Sequence, residues 1–163
     1  MAHEIPWSII KSKSRSIFRG LDDFLIAAII KTESSGDMYA IRYEPAFKYR
    51  KEVGRYSKLN NISEETESVL QSCSFGLMQV MGCVARECGF DDNLVKLIEP
   101  SINIEVGTKK IVQLFSKYKN LPDTISCYNR GSILLDKDGK YKNQNYVDKV
   151  LAAYEEFKSK RAQ

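Results

Sequence analysis

Glu33 carries the first chemical signal of the chain. Ile26, Ile29, Ile30 and residue 33 follow one another at offsets of three or four, so a carboxylate stands on an otherwise apolar helix stripe. Ser34-Ser35-Gly36 comes next, which puts Glu33 in the last turn, beside the negative end of the helix dipole. Desolvation and dipole both disfavour the charged form and raise the pKa. A carboxyl that stays protonated toward neutrality can protonate a leaving oxygen, the acid step of glycoside cleavage. The same spacing also allows Glu33 to turn outward to solvent as the helix ends.

Two further clusters carry weaker signals. In Ser72-Cys73-Ser74-Phe75-Gly76-Leu77-Met78-Gln79, small polar residues lead through a glycine into what reads as a helix start. The Ser74 hydroxyl, the flexible Met78 and the Gln79 amide, beside free backbone donors, would suit a sugar. A serine cap followed by core residues explains the same run. Tyr128-Asn129-Arg130-Gly131 sets a phenol and an amide at a predicted helix end, where asparagine before glycine also serves simply as a stop. Asp37 and Glu44 are the candidates for a second carboxylate, which a hydrolase would need to position water. Glu44, in Arg42-Tyr43-Glu44-Pro45, reads equally as an ion-pair partner of Arg42 or Arg50.

Helical periodicity dominates the elements that must place these residues, and no segment shows convincing strand alternation. The expected fold is mostly α, a single domain over 21–158 with tails at 1–20 and 159–163. The first helix runs from about Asp22 to Glu33, with Gly36 as its stop, and a long loop from Tyr49 to Gln71 carries a short helix, Glu64 to Leu70. Gly76 to Cys88 reads as the next helix and Asn93 to Ile98 as a short one. Ile104, Gly107, Ile111, Leu114 or Phe115, and Tyr118 mark one face of a long helix, with Gly107 permitting close contact. Pro122 opens another that ends near Asn129, and Val147, Val150, Leu151, Tyr154 and Phe157 form the stripe of the last.

Composition narrows the class. A chain of 163 residues, 43% hydrophobic, with nine tyrosines and seven phenylalanines against four prolines, can bury one proper core. Lys plus Arg number 25 against 21 acids, a net charge of +4 spread among acidic residues. That scatter argues against a nucleic-acid stripe and suits an anionic polymer such as the bacterial wall. Cys73, Cys83, Cys88 and Cys127 match neither a CxxC pair nor a zinc set, and the only histidine is His3, so no metal site is expected and the thiols read as reduced. Met1 to Gly20 has no continuous apolar stretch and does not read as a secretory signal. No later segment reads as a membrane span.

Taken in order, Glu33-Ser34, then Ser74-x-Gly76-Leu77-Met78-Gln79, then Tyr128-Asn129-x-Gly131 resembles the soluble lytic transglycosylase family, with its goose-type-lysozyme-like fold. The resemblance covers about Phe24 to Leu151. Ala40 to Pro45 and Tyr146 to Val150 look like the variants of phage and prophage members, and Cys127 departs from the family's usual alanine. The resemblance implies cleavage of peptidoglycan glycan strands between N-acetylmuramic acid and N-acetylglucosamine. Glu33 would act as acid and then base, closing an anhydro ring without consuming water. It further implies that Ser74 and Gln79 meet the sugar's polar groups, Met78 its apolar face, and that Tyr128, Asn129 and Tyr146 stand in the cleft. It implies no cofactor, no nucleic acid and no membrane insertion, and a monomer that reaches the wall through a pore, a virion or a specialised export apparatus. Hydrolysis with Glu44 or Asp37, and a non-catalytic wall-binding module, are the alternatives.

Overall fold

Leu25 to Ile30 are buried in succession along helix α2 (Asp23–Ser34), so this helix is apolar around most of its girth and forms the post on which the molecule is built. The computed structural model describes residues 4–17 and 22–161. Asp22 starts α2 by accepting the backbone N–H groups of Phe24 and Leu25, at 3.0 and 3.3 Å. Ser35 ends it in the left-handed conformation.

Helix α8 (Gln144–Arg161) packs along α2 and contributes Val147 and Val150 to the core. It runs past the expected boundary at 158. Helix α1 (Trp7–Ile17) corrects the expectation of a tail over 1–20. Ile10 is fully buried, the Trp7 ring meets Phe24 and Phe157 edge-on at 5.9 and 5.3 Å, and Lys13 pairs with Glu105 at 2.8 Å. The polar run from Lys11 to Ser16 hid a helix whose packed Trp7 and buried Ile10 precede that run. The remainder of that expected tail, 1–3 and 18–20, and residues 162–163 at the other end lie outside the described residues.

A small sheet corrects the absence of strands. Strands β1 (Ile41–Tyr43), β2 (Cys73–Phe75) and β3 (Val80–Met81) pair antiparallel in the order β1-β2-β3, with Ile41 opposite Phe75 and Phe75 opposite Val80. Every residue of β1 is exposed and every residue of β2 buried, so neither strand shows the alternation that betrays one. The helix expected over 76–88 is therefore a turn, a strand and a short helix α5 (Gly82–Glu87). Gly76 turns at φ +65°, where an added Cβ would stand 2.7 Å from Asn103 Nδ2 and 2.8 Å from the Leu97 carbonyl.

The loop expected from 49 to 71 holds two helices, α3 (Val53–Asn60) and α4 (Glu64–Gln71), the second capped by Ser63 on the Thr66 N–H. The expected helix at 93–98 is a 3-10 turn, Leu94–Ile98. Helix α6 (Pro100–Tyr118) buries Ile104, Gly107, Ile111 and Leu114, the face its spacing marks. Helix α7 (Leu121–Arg130) begins under the Asn120 cap and stops at Gly131, φ 78°.

A buried ion pair, unseen in the sequence, joins α4 to α5. Arg86 and Glu67 have fully buried side chains and meet in a fork, Nε to Oε1 at 2.9 Å and Nη2 to Oε2 at 3.0 Å. Arg86 Nη1 donates to the Phe90 and Asp92 carbonyls at 2.7 Å each, and Gln71 donates to Glu67 Oε1 at 2.8 Å. Every charged atom of the pair has a partner, which is what makes its burial tolerable.

Candidate active site

Glu33 sits half-buried in the last turn of α2, and burial raises its carboxyl pKa. Two influences pull in the opposite sense. The Tyr146 phenol, from α8, donates to Oε1 at 2.6 Å, and the positive charge of Arg42 on β1 favours the anion. Burial is the largest of the three, so the acid form persists to higher pH than in a free glutamate.

Ser34 fixes the height of this helix end. Its hydroxyl donates to the Leu77 carbonyl at 2.8 Å and accepts the Gly36 N–H at 3.2 Å, tying α2 to the turn at Gly76–Gln79. Asn103 on α6 holds the other side of that turn, accepting the Met78 N–H at 2.8 Å and donating to the Phe75 and Leu97 carbonyls. The Tyr128 phenol, from α7, donates to the Met78 carbonyl at 2.8 Å. Burial, then the nearby Glu33 charge, pushes the Tyr128 pKa well up, so its hydroxyl stays protonated.

These elements wall a cleft of about 900 Å³ lined by Glu33, Glu44, Ser74, Gln79, Tyr128 and Asn129 among others. Six sequence candidates thus face one space, and Tyr146 reaches the same carboxylate through its hydrogen bond. Ser74 and Gln79 hold each other, Oγ to Oε1, at 3.1 Å, and the Gln79 amide donates to the Ala40 and Gly76 carbonyls at 3.0 Å. Gln79 adopts φ 47°, a left-handed turn residue rather than the start of a helix. Asn129, exposed, accepts from Asn143 at 3.0 Å.

Two candidates are corrected. Met78 is fully buried, and a Cβ on Gly107 would lie 2.6 Å from its sulfur, so its side chain packs into α6 and offers no face to a sugar. Only its backbone serves the site. Asp37 lies off the cleft wall, where its Oδ1 accepts the Tyr39 N–H at 2.9 Å and closes a local turn. Glu44 does line the cleft, paired with Arg42, which is one of the two partners its sequence context suggests.

Sequence reasoning missed Phe47, Tyr49, Glu87 and Lys110, which line the same cleft. Phe47 and Tyr49 fall in a segment with no periodicity. Glu87 and Lys110 were hidden because nothing local tells a cleft-facing charge from a solvated one. Cys83 and Cys127 also border the cleft, and burial pushes the Cys83 thiol up to about 12, which leaves it protonated and a poor nucleophile. Among the described residues, no three His, Cys, Asp or Glu side chains group so as to hold a metal ion, and no helix is long and apolar enough to cross a membrane.

The family model described as transglycosylase SLT domain matches residues 12–151, from within α1 to within α8. The chain belongs to this family. As an SLT domain it is a lytic-transglycosylase-type enzyme whose substrate is peptidoglycan, and its mostly helical architecture is the lysozyme-like fold of that family. The SLT match spans every element that contributes to the cleft, so the geometry above is that of the family domain and not of an added segment.

Proposed function

We propose that this SLT domain cleaves the β-1,4 bond between N-acetylmuramic acid and N-acetylglucosamine without water, leaving anhydromuramic ends. The observation that carries the reading is the Glu33 carboxyl, half-buried, raised in pKa, and held by a single phenol at 2.6 Å. Glu33 gives its proton to the glycosidic oxygen as the bond to the anomeric carbon breaks and an oxocarbenium-like centre develops. The muramic acetamido oxygen shares that positive charge. The Glu33 carboxylate then removes the proton from the C6 hydroxyl of the same sugar, whose oxygen closes onto the anomeric carbon. Glu33 ends protonated as it began.

Tyr146 orients the carboxylate through both steps, and its hydrogen bond strengthens when Glu33 is an anion. Ser74 and Gln79 in one wall and Asn129 and Tyr128 in the other contribute neutral polar groups suited to hydroxyl and acetamido substituents. The protein works as a monomer on glycan strands, delivered to the wall by a pore, a virion or a specialised export apparatus.

Hydrolysis is the second reading, because Glu44 also lines the cleft. Its carboxylate is engaged by Arg42, and positioning water would require that pair to open. Mass spectrometry of digested sacculi separates the two. Muramic ends lighter by one water than the reducing sugar are expected. A digest dominated by reducing muramic ends, with activity lost in Glu44→Gln, would overturn the proposal.

A further inference from the structure

Asn143 immediately precedes α8 and does not line the cleft, yet its side chain grips a residue that does. Its amide straddles Ser126, a fully buried residue of α7. Nδ2 donates to the Ser126 carbonyl at 3.1 Å, and Oδ1 accepts the Ser126 hydroxyl at 2.7 Å. Nδ2 also donates to Asn129 Oδ1 at 3.0 Å. Through its main chain the same residue holds the start of α8, its carbonyl accepting the Tyr146 N–H at 2.9 Å.

The direction of these bonds is fixed at their buried end. A backbone carbonyl accepts and never donates, so the side of the Asn143 amide that meets it is the NH2 group. The Asn143 oxygen is then left to the Ser126 hydroxyl, which donates. One N–H of Asn143 remains, and of the two polar atoms of the Asn129 amide it can be met by the oxygen alone. Asn129, in the last turn of α7, lines the cleft. With its oxygen turned to Asn143, it offers a ligand its own NH2 group, a pair of donors. An asparagine without this clamp could turn over and offer its oxygen instead.

Resting on the lytic reading above, we propose that Asn143 is a positioning residue that fixes the Asn129 amide as a donor to the cleft. The amide in that orientation binds an acceptor oxygen on a neutral N-acyl sugar. It disfavours the ammonium of a deacetylated sugar, which brings only donors of its own.

The test is a double-mutant cycle in the full chain, comparing wild type, Asn143→Asp, Asn129→Ala and the two together. Asn143→Asp keeps the shape and the bond from the Ser126 hydroxyl but has no N–H, so the Asn129 amide must turn its NH2 toward it and its oxygen to the cleft. Calorimetry reads binding of a short N-acetylglucosamine oligomer and of the same oligomer fully deacetylated. Asn143→Asp should weaken the acetylated oligomer about three- to tenfold, the worth of one hydrogen bond, and narrow the preference over the deacetylated one. In the Asn129→Ala background the same substitution should leave the preference where it was. Asn143→Ala, which removes the clamp without adding charge, should narrow the preference in the same sense. The alkaline limb of kcat/KM should stay in place in both variants, because the Tyr146 bond to Glu33 is untouched. A limb that moves would show that the substitutions act through the start of α8, and additive effects of positions 143 and 129 would show that they act separately. Either result overturns the proposal. A chain that cleaves the wall while the cycle is additive keeps the lytic reading and loses this one. A chain that shows the coupled preference but releases no anhydromuramic ends keeps Asn143 in its role and loses the lytic reading.

Discussion

The phenol of Tyr146 and the carboxylate of Glu33, 113 residues apart, meet at 2.6 Å across the interface of α8 and α2. With Oε1 accepting from tyrosine, the acidic proton is left to Oε2, so the bond orients the acid as well as tuning it. Burial raises the Glu33 pKa and the phenol partly offsets that rise, opposing influences that suit the proposed acid-then-base role.

Replacing Glu33 by Gln should leave the fold and thermal midpoint nearly unchanged and lower lytic rate by about a hundred- to ten-thousandfold, the usual worth of a general acid. The amide matches the carboxyl in shape and cannot donate the proton. Turbidity loss of purified sacculi measures it. Clearing at more than roughly a tenth of the normal rate would remove Glu33 from the reaction, given that worth.

Tyr146→Phe should move the alkaline limb of the pH profile. The proposed mechanism needs Glu33 protonated in the free enzyme, so kcat/KM should fall as pH rises through its pKa. The phenol bond favours the carboxylate, and removing it raises that pKa further, shifting the limb to higher pH even as the rate drops from lost orientation. Arg42→Met should shift the limb in the same direction by less, since its charge is the smaller of the two lowering influences. A limb that stays in place in Tyr146→Phe would mean that Glu33 does not set it.

Gly107→Ala should destabilise the protein by about 1–3 kcal/mol, as overpacking does. The new methyl would meet Met78 Sδ at 2.6 Å and Cε at 2.9 Å, so the fully buried Met78 side chain must shift. Urea unfolding reads the loss, and shortening Met78 to Ala in the same chain should recover part of it. Additive effects of the two changes would show that the residues do not share this contact.

Breaking the buried pair with Glu67→Gln or Arg86→Met should cost about 3–5 kcal/mol, because the first leaves the Arg86 charge uncompensated and the second leaves the Glu67 carboxylate and the Phe90 and Asp92 carbonyls without their donor. Replacing both with apolar residues should cost much less. A single replacement costing under about 1 kcal/mol by chemical unfolding would show that water reaches the site.

Much of the site was legible in local patterns. The stripe Ile26, Ile29, Ile30 and Glu33 left a carboxylate either drawn toward the core or turned outward at the helix end, and the structure half-buries it. The α6 face and the proline and glycine bounds of α7 were equally plain, because helix periodicity and caps are properties of neighbouring residues. The order of three short motifs pointed to the family that residues 12–151 match.

What stayed hidden depends on segments far apart in the chain. Three-residue strands that are wholly exposed or wholly buried carry no period, so β1 and β2 form only because each finds the other across thirty-odd residues. The sequence by itself determined that Met78 and Gln79 would be apolar and polar. Tertiary packing decided that Met78 lies under Gly107 while Gln79 turns into the cleft wall. Composition marked Asp37, Glu44, Glu67 and Glu87 alike as acids. Packing made one a turn cap, one a cleft ion pair, one a buried strut and one a partner of Lys110. Periodicity sorts residues into inside and outside, but the partner of a charge is set by which surfaces the whole chain brings within a few ångströms of it.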